Sequence, residues 1–137
     1  MTKQEVKEEY KQAEGDPQVK SQIKQKQRQL SSQRMIQNAR DATVIVTNPT
    51  HISIAIRYER DVDSAPIVIA KGADVLAMKI REIAKENDIP IIENKPLARM
   101  IYKEVDVEQE VPAEMYQAVA EVLVAVYKIK NRYKRNK

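Results

Sequence analysis

The sequence predicts a small α/β domain, with a four-stranded mixed sheet flanked by helices and preceded by a long helical arm. Two β-branched runs lie on either side of Asn48-Pro49, a continuous apolar one at 44–46 and an alternating one at 52–57, as in two strands of a hairpin. A third run at 67–70 is followed by a helical pattern and then by a short fourth run at 89–92. By contrast, residues 1–41 are polar and carry only a thin apolar stripe.

Composition limits the kinds of site that this chain can hold. Its 137 residues suit one domain, and they include one histidine and no cysteine. That count excludes a His/Cys metal site of ordinary spacing. The two glycines lie far apart, which excludes a glycine-rich phosphate loop, and the six tyrosines are scattered, with no aromatic stacking pattern in any predicted strand. We therefore expect no metal, no cofactor and no nucleic-acid partner.

The arm is expected to be an exposed helix that connects an upstream segment to the folded domain. Asp16 can cap a helix that has Pro17 in its first turn. The sequence thus predicts a polar helical arm over 1–41, a folded domain over 42–133 and a basic tail over 134–137.

Within the domain, we expect strands at about 43–47, 52–58, 67–70 and 89–92. A helix that follows Gly72 joins the third strand to the fourth in a parallel βαβ unit, and its apolar face consists of Leu76, Ile80, Ile83 and Ala84. Two further helices open near Pro96 and Pro112. Their predicted inward residues are Leu97, Met100 and Ile101 in the first, and Met115, Val119, Leu123, Val126 and Tyr127 in the second.

The turn Asn48-Pro49-Thr50-His51 is the segment with unusual chemistry. Asparagine ordinarily degrades when the next backbone nitrogen attacks its side chain, but Pro49 has no N–H. The remaining route is attack by the Asn48 side-chain nitrogen on its own main-chain carbonyl, which cuts the chain between Asn48 and Pro49. Proline also biases Asn48 toward an extended backbone.

Two neighbours of the scissile pair matter to this reaction. His51 is able to move protons as a neutral imidazole, or it only tunes the turn. Thr50 resists a positive φ, so we expect a type I turn. An inert hairpin turn is the alternative interpretation of the same four residues.

The stretch Val44–His51 resembles the cleavage loop of the FlhB-like cytoplasmic domains in the type III secretion export-switch family. The resemblance covers about 42–133 and favours the flagellar branch over the injectisome branch. It continues through Ser64-Ala65-Pro66, Ala70-Lys71-Gly72-Ala73, Ile80-Arg81-Glu82-Ile83, Pro96-Leu97-Ala98-Arg99 and Val111-Pro112-Ala113-Glu114.

The resemblance implies self-cleavage between Asn48 and Pro49, assisted by Thr50 and His51, with no turnover on an external substrate. The two pieces would stay together, and the cut would switch export from rod and hook proteins to filament proteins. It also implies a place on the cytoplasmic face of the bacterial inner membrane, reached through an upstream transmembrane domain. The implied partners are other export-gate membrane proteins, exported flagellar subunits, the hook-length control protein and the export ATPase complex.

The resemblance also suggests a substrate-binding patch. It would be formed by Ala65, Pro66, Ala120 and Leu123, although Ala120 and Leu123 are equally compatible with a role in the core. Two other functions remain open at this point: an injectisome-type switch protein, and a non-cleaving adaptor whose basic segments dock on a membrane or on partner helices.

Overall fold

The computed structural model describes residues 16–49 and 51–135, and it confirms the predicted α/β fold with a four-stranded mixed sheet. The elements in chain order are helix α1 (Pro17–Asn38), strands β1 (Val44–Asn48), β2 (Ile52–Arg57) and β3 (Ile67–Ala73), helix α2 (Val75–Glu86), strand β4 (Ile91–Glu93), and helices α3 (Lys95–Glu104) and α4 (Tyr116–Arg135).

Residue contacts divide the chain into two units, 1–34 and 35–137, which are described separately. Helix α1 buries none of its residues, and it carries five basic side chains and no acidic ones: Lys20, Lys24, Lys26, Arg28 and Arg34. No helix within 16–49 and 51–135 combines the length and the apolar character that a bilayer-spanning helix requires.

The sheet has the strand order β3-β2-β1-β4. β1 pairs antiparallel with β2 and parallel with β4, and β2 pairs antiparallel with β3. β3 and β4 therefore run in the same direction, as the βαβ prediction requires. They lie at opposite edges of the sheet rather than side by side, because the β1–β2 hairpin occupies the centre.

Both faces of the sheet are covered, which explains why β1 is apolar without interruption. Successive side chains of a strand point to opposite faces. Val44 and Val46 contribute to a core cluster with α3 and α4, whereas Ile45 belongs to a second cluster with α2 and Ala39. All five residues of β1 are buried.

The predicted inward faces of the last two helices are wrong at one residue each. Met100 is 44% exposed and Tyr127 is 42% exposed, while Ala98 and Val122 are buried instead. Burial begins at Met115, just before α4, and continues at 119, 122, 123 and 126 within it, a spacing that turns Tyr127 away from the core.

Two strand boundaries also differ from prediction. β3 extends to Ala73 because Ala73 pairs with Ile52 at the start of β2. β4 starts at Ile91 rather than 89, because the Ile89 amide still donates to the Ala84 carbonyl of α2 and Pro90 has no amide hydrogen.

Lys71 connects β3 to the C-terminal end of α3. Its Nζ donates to the Tyr102 and Val105 carbonyl oxygens, each at 2.9 Å, and lies 5.4 Å from the centre of the Tyr102 ring. A cation beside the last carbonyls of a helix is favourable, because that end carries partial negative charge.

The charged loop after β2 is held by one ion pair. Arg57 donates from Nε and Nη2 to the two carboxylate oxygens of Asp63 at 3.2 and 3.0 Å, and the Glu59 amide donates to Asp63 Oδ2 at 2.8 Å. The Arg57 hydrogen bonds, followed by the bond from the Glu59 amide, hold the pKa of Asp63 below its ordinary value.

We expect Asp63→Asn to destabilise the domain by about 1–3 kcal/mol at neutral pH, because a buried charge-assisted bidentate pair is lost. The pKa of Asp63 is lower in the folded state than in the unfolded state. The contribution is therefore present above the unfolded pKa of about 4 and is lost as the pH falls through the folded pKa. Urea unfolding over a pH series checks this.

The matched control is Asp61→Asn, since Asp61 is exposed in the same loop. Its stability is expected to equal that of the wild type. The prediction is contradicted if the wild type and Asp63→Asn differ by the same amount at neutral pH and well below pH 4.

Candidate functional site

The Asn-Pro turn lies at the end of the sheet where the carboxyl ends of β1, β3 and β4 meet. The carboxyl ends of similarly directed strands are the common place for functional sites in α/β folds. Only Asp74 separates β3 from α2, and only Asn94 separates β4 from α3. Both helices therefore begin beside the turn that follows β1.

Within the turn, the main-chain carbonyl oxygen of Asn48 accepts a backbone hydrogen bond. Asn48 is the last residue of β1, is 5% exposed and pairs with Ile52. The His51 amide donates to the Asn48 carbonyl oxygen at 3.1 Å. Pro49 is half-buried and His51 is exposed, while Thr50, and with it the expected type I turn, lies outside the described residues.

Two backbone hydrogen bonds anchor the turn from outside. The Asp74 amide donates to the His51 carbonyl oxygen at 2.9 Å, and the Asn94 amide donates to the Thr47 carbonyl oxygen at 3.0 Å. The Asn94 side chain also caps α3 by accepting from the Leu97 amide at 3.2 Å. Sequence reasoning missed both anchors, because the sequence pattern indicates where a strand gives way to a helix but not which carbonyl the amide at that junction binds.

The close approach of α2 to β2 and β3 depends on two small residues. The Ser53 hydroxyl donates to the Ala77 carbonyl oxygen at 3.0 Å in a buried contact. A Cβ on Gly72 would lie 2.5 Å from the Leu76 Cβ, so only glycine fits there. Since Ser53 follows the turn by two residues, this packing holds the start of β2 against α2.

The four residues predicted as a substrate patch come together in a groove of about 250 Å³. Ala65 and Leu123 are buried, Pro66 is half-buried and Ala120 is exposed. Tyr58, Ser64 and Tyr116 complete the lining, and sequence reasoning missed them. Tyr116, Ala120 and Leu123 share one helix face at spacings of four and three, which is the signal that was available.

The groove and the turn lie at opposite ends of β2. The turn precedes Ile52, whereas Tyr58 directly follows Arg57. Six strand residues span about 20 Å. The two features are therefore separate sites.

Chemically, the turn places one N–H donor on the carbonyl that an asparagine side chain would attack. A hydrogen bond to that oxygen polarises the carbonyl and would stabilise the negative charge that develops on it. The exposed imidazole of His51 is three residues away along the chain and is accessible to solvent for proton exchange.

The model of the FlhB HrpN YscU SpaS family matches residues 1–126 of the chain. The chain belongs to this family. A flagellar biosynthetic protein FlhB from Bacillus subtilis is 51% identical over 132 residues, which cover 96% of this chain and 37% of the relative. The FlhB of Escherichia coli is 47% identical over 130 residues, which cover 95% and 34%. The chain thus spans about a third of the length of these relatives.

Solved structures show the same similarity. The cytoplasmic domain of FlhB from Shewanella putrefaciens superposes with a TM-score of 0.72 at 41% identity, covering 75% of this chain and 79% of that one. An asparagine-to-alanine variant of the EscU C-terminal domain superposes with a TM-score of 0.65 at 36% identity, covering 67% and 92%.

We expect Gly72→Ala to destabilise this FlhB-family domain by about 1–3 kcal/mol, because the added methyl group overlaps the Leu76 Cβ and pushes α2 from the sheet. Urea unfolding measures the change. Adding Leu76→Gly removes the atom that is contacted, so the double variant is expected to be more stable than the sum of the two single changes predicts. Simple additivity would contradict the steric explanation.

Proposed function

We propose that this chain is the export-switch domain of a flagellar type III secretion system and that it cuts its own backbone between Asn48 and Pro49. The observation that carries the proposal is the position of the Asn48 carbonyl. It lies at the end of a fully paired, buried strand and accepts a hydrogen bond from the His51 amide at 3.1 Å.

The reaction is an asparagine cyclisation. The Asn48 Nδ2 attacks the Asn48 main-chain carbon and loses a proton, which gives a tetrahedral oxyanion. The C–N bond to Pro49 then breaks, and the proline nitrogen takes up a proton to leave as a secondary amine. The products are a fragment ending in a succinimide at residue 48 and a fragment beginning at Pro49; water later opens the succinimide.

The fold favours this reaction by restricting the turn before it starts. In a floppy chain the attacking amide nitrogen rarely meets the carbonyl, and holding two groups near attack distance is worth up to about 7–11 kcal/mol in favourable intramolecular systems. The His51 amide supplies one oxyanion donor, and loss of such a donor from an enzyme costs about 10²–10³-fold in rate. Thr50 and the His51 imidazole would assist by hydrogen bonding and proton transfer.

Cleavage would leave the fold assembled. β1 remains paired with β2 at five positions and with β4 at three. The change is therefore confined to the turn, where two new chain ends become free to separate. A reaction of this kind occurs once per molecule, so the domain acts as a switch and has no external substrate to turn over.

The comparisons support the flagellar branch over the injectisome alternative. Two flagellar biosynthetic proteins FlhB are 47% and 51% identical to this chain over at least 95% of its length. Among the solved EscU domains, one variant replaces an asparagine and another replaces the proline directly after it. The EscU domain thus has an asparagine followed by a proline, the same residue pair as Asn48-Pro49 in this chain. A non-cleaving adaptor is the remaining alternative.

In the assembled system, the domain would lie at the cytoplasmic face of the inner membrane, linked through α1 to a transmembrane domain. Its partners would be other export-gate membrane proteins, the hook-length control protein and the export ATPase complex. Exported flagellar subunits of the rod and hook class would contact the groove that contains Ala65, Pro66, Ala120 and Leu123. The cut would end export of that class and start export of filament proteins.

We expect the purified wild-type chain to separate into two fragments under denaturing conditions, one ending at Asn48 and one beginning at Pro49. Asn48→Ala lacks the attacking nitrogen and is expected to stay intact, whereas His51→Ala is expected to cleave about 10²–10⁴-fold more slowly if the imidazole transfers protons. Denaturing electrophoresis and intact mass check both. Asn131→Ala, an exposed residue on α4, serves as the control and cleaves normally. A wild-type chain that stays whole after long incubation favours the adaptor.

We expect Ala120→Glu to weaken binding of rod and hook subunits at least tenfold, because it places a charge in the groove without disturbing the core. Titration of a labelled subunit peptide measures the affinity. Gln117→Glu adds the same charge on the exposed side of α4, outside the groove lining, and is the matched control. Equal affinities of the two variants would remove the groove from the proposal.

A further inference from the structure

Asp74 has a backbone conformation that side-chain-bearing residues rarely adopt. Its φ is 51° and its ψ is −109°, a region that mainly glycine occupies. The reason is topological, because this single residue has to turn the chain from β3 directly into α2.

Within 16–49 and 51–135, positive φ at a non-glycine residue occurs at Asp74, Asp88 and Glu108. Asp88 has a φ of 55° and lies just after the C-terminal end of α2, where a left-handed residue commonly ends a helix. Of the three, Asp74 alone has a backbone hydrogen bond to the Asn48–His51 turn among those that the structure describes.

The hydrogen bonds of Asp74 join the turn to α2. Its amide donates to the His51 carbonyl oxygen at 2.9 Å, and its own carbonyl oxygen accepts from the Met78 amide at 3.0 Å. His51 in turn donates to the Asn48 carbonyl at 3.1 Å. Asp74 is thus linked through one residue to the carbonyl where the chain would be cut.

We propose that Asp74 is a positioning residue for scission at Asn48–Pro49 and that it acts through the backbone of His51. This inference rests on the proposed self-cleavage. The bond from Asp74 fixes the His51 carbonyl and thereby keeps the His51 amide directed at the Asn48 carbonyl oxygen. The Asp74 side chain is exposed and makes no capping hydrogen bond to α2, which assigns the role to the backbone rather than to the carboxylate.

The test compares three variants: Asp74→Val, Asp74→Gly and Asp88→Val. Valine is β-branched and resists positive φ, so it moves the junction and its amide away from the His51 carbonyl. Glycine adopts positive φ without strain and keeps the amide donor, but it has no carboxylate. Asp88→Val makes the same chemical change at a second positive-φ site, away from the turn. Each protein is made by cell-free synthesis in a short labelled pulse, and cleavage is followed by denaturing electrophoresis across a pH series.

We expect Asp74→Val to cleave about five- to tenfold more slowly, which corresponds to the loss of about one net hydrogen bond. Asp74→Gly and Asp88→Val are expected to cleave within about twofold of the wild type, with an unchanged pH profile for Asp74→Gly. Urea unfolding of each change in an Asn48→Ala background separates the cleavage rate from stability. There, both valine variants are expected to be destabilised, whereas Asp74→Gly is expected to be at least as stable as its parent, since strain is relieved.

A wild-type rate in Asp74→Val, or equal slowing in Asp88→Val, would overturn the inference. Slowing in Asp74→Gly equal to that in Asp74→Val would also overturn it, because the carboxylate would then be responsible. A wild-type chain that is never cut would overturn the proposed self-cleavage as well, whereas normal cleavage with no effect at Asp74 would overturn only the positioning role.

Discussion

The rest of the structure depends on the antiparallel pairing of β1 with β2. Five consecutive pairs run from Val44 with Ile56 to Asn48 with Ile52, and the turn closes the ladder directly after the last pair. Because both faces of these central strands are covered by helices, neither strand can leave without exposing a core cluster. The same pairing that restricts the turn would hold two chain pieces together after a cut.

The two strand-to-helix junctions hold the turn in place at this end of the sheet. One residue at Asp74 and one at Asn94 turn the chain from a strand into a helix, and each donates its amide to a carbonyl next to the turn. The groove lies at the other end of β2, about 20 Å away. Direct contact between turn and groove is therefore excluded, and any effect of one on the other has to pass through the sheet or the helices packed on it.

Short β-branched runs bounded by turn residues were sufficient to predict the sheet, although β1 is buried on both faces and shows no alternation. Prediction failed where a single residue had to be assigned to one side of a helix: Met100 and Tyr127 lie on the boundary between core and solvent, and tertiary packing decides their side. The hypothesis of scission between Asn48 and Pro49 came from the residues alone. Asp74 could not be found that way, since its positive φ is imposed by a one-residue junction and the residue is not glycine.

A reaction that happens once per chain needs fewer catalytic groups than a reaction that an enzyme repeats many times. The described part of the site offers one amide donor on the attacked carbonyl and one exposed imidazole, whereas enzymes that turn over acyl groups combine an activated nucleophile with a pair of oxyanion donors. Restricting a turn would supply much of the acceleration that the proposed scission requires. Such a site is compatible with a stable domain, because the groups that it uses are mostly backbone groups. The β1–β2 hairpin and the first residues of two helices would position these groups in any case.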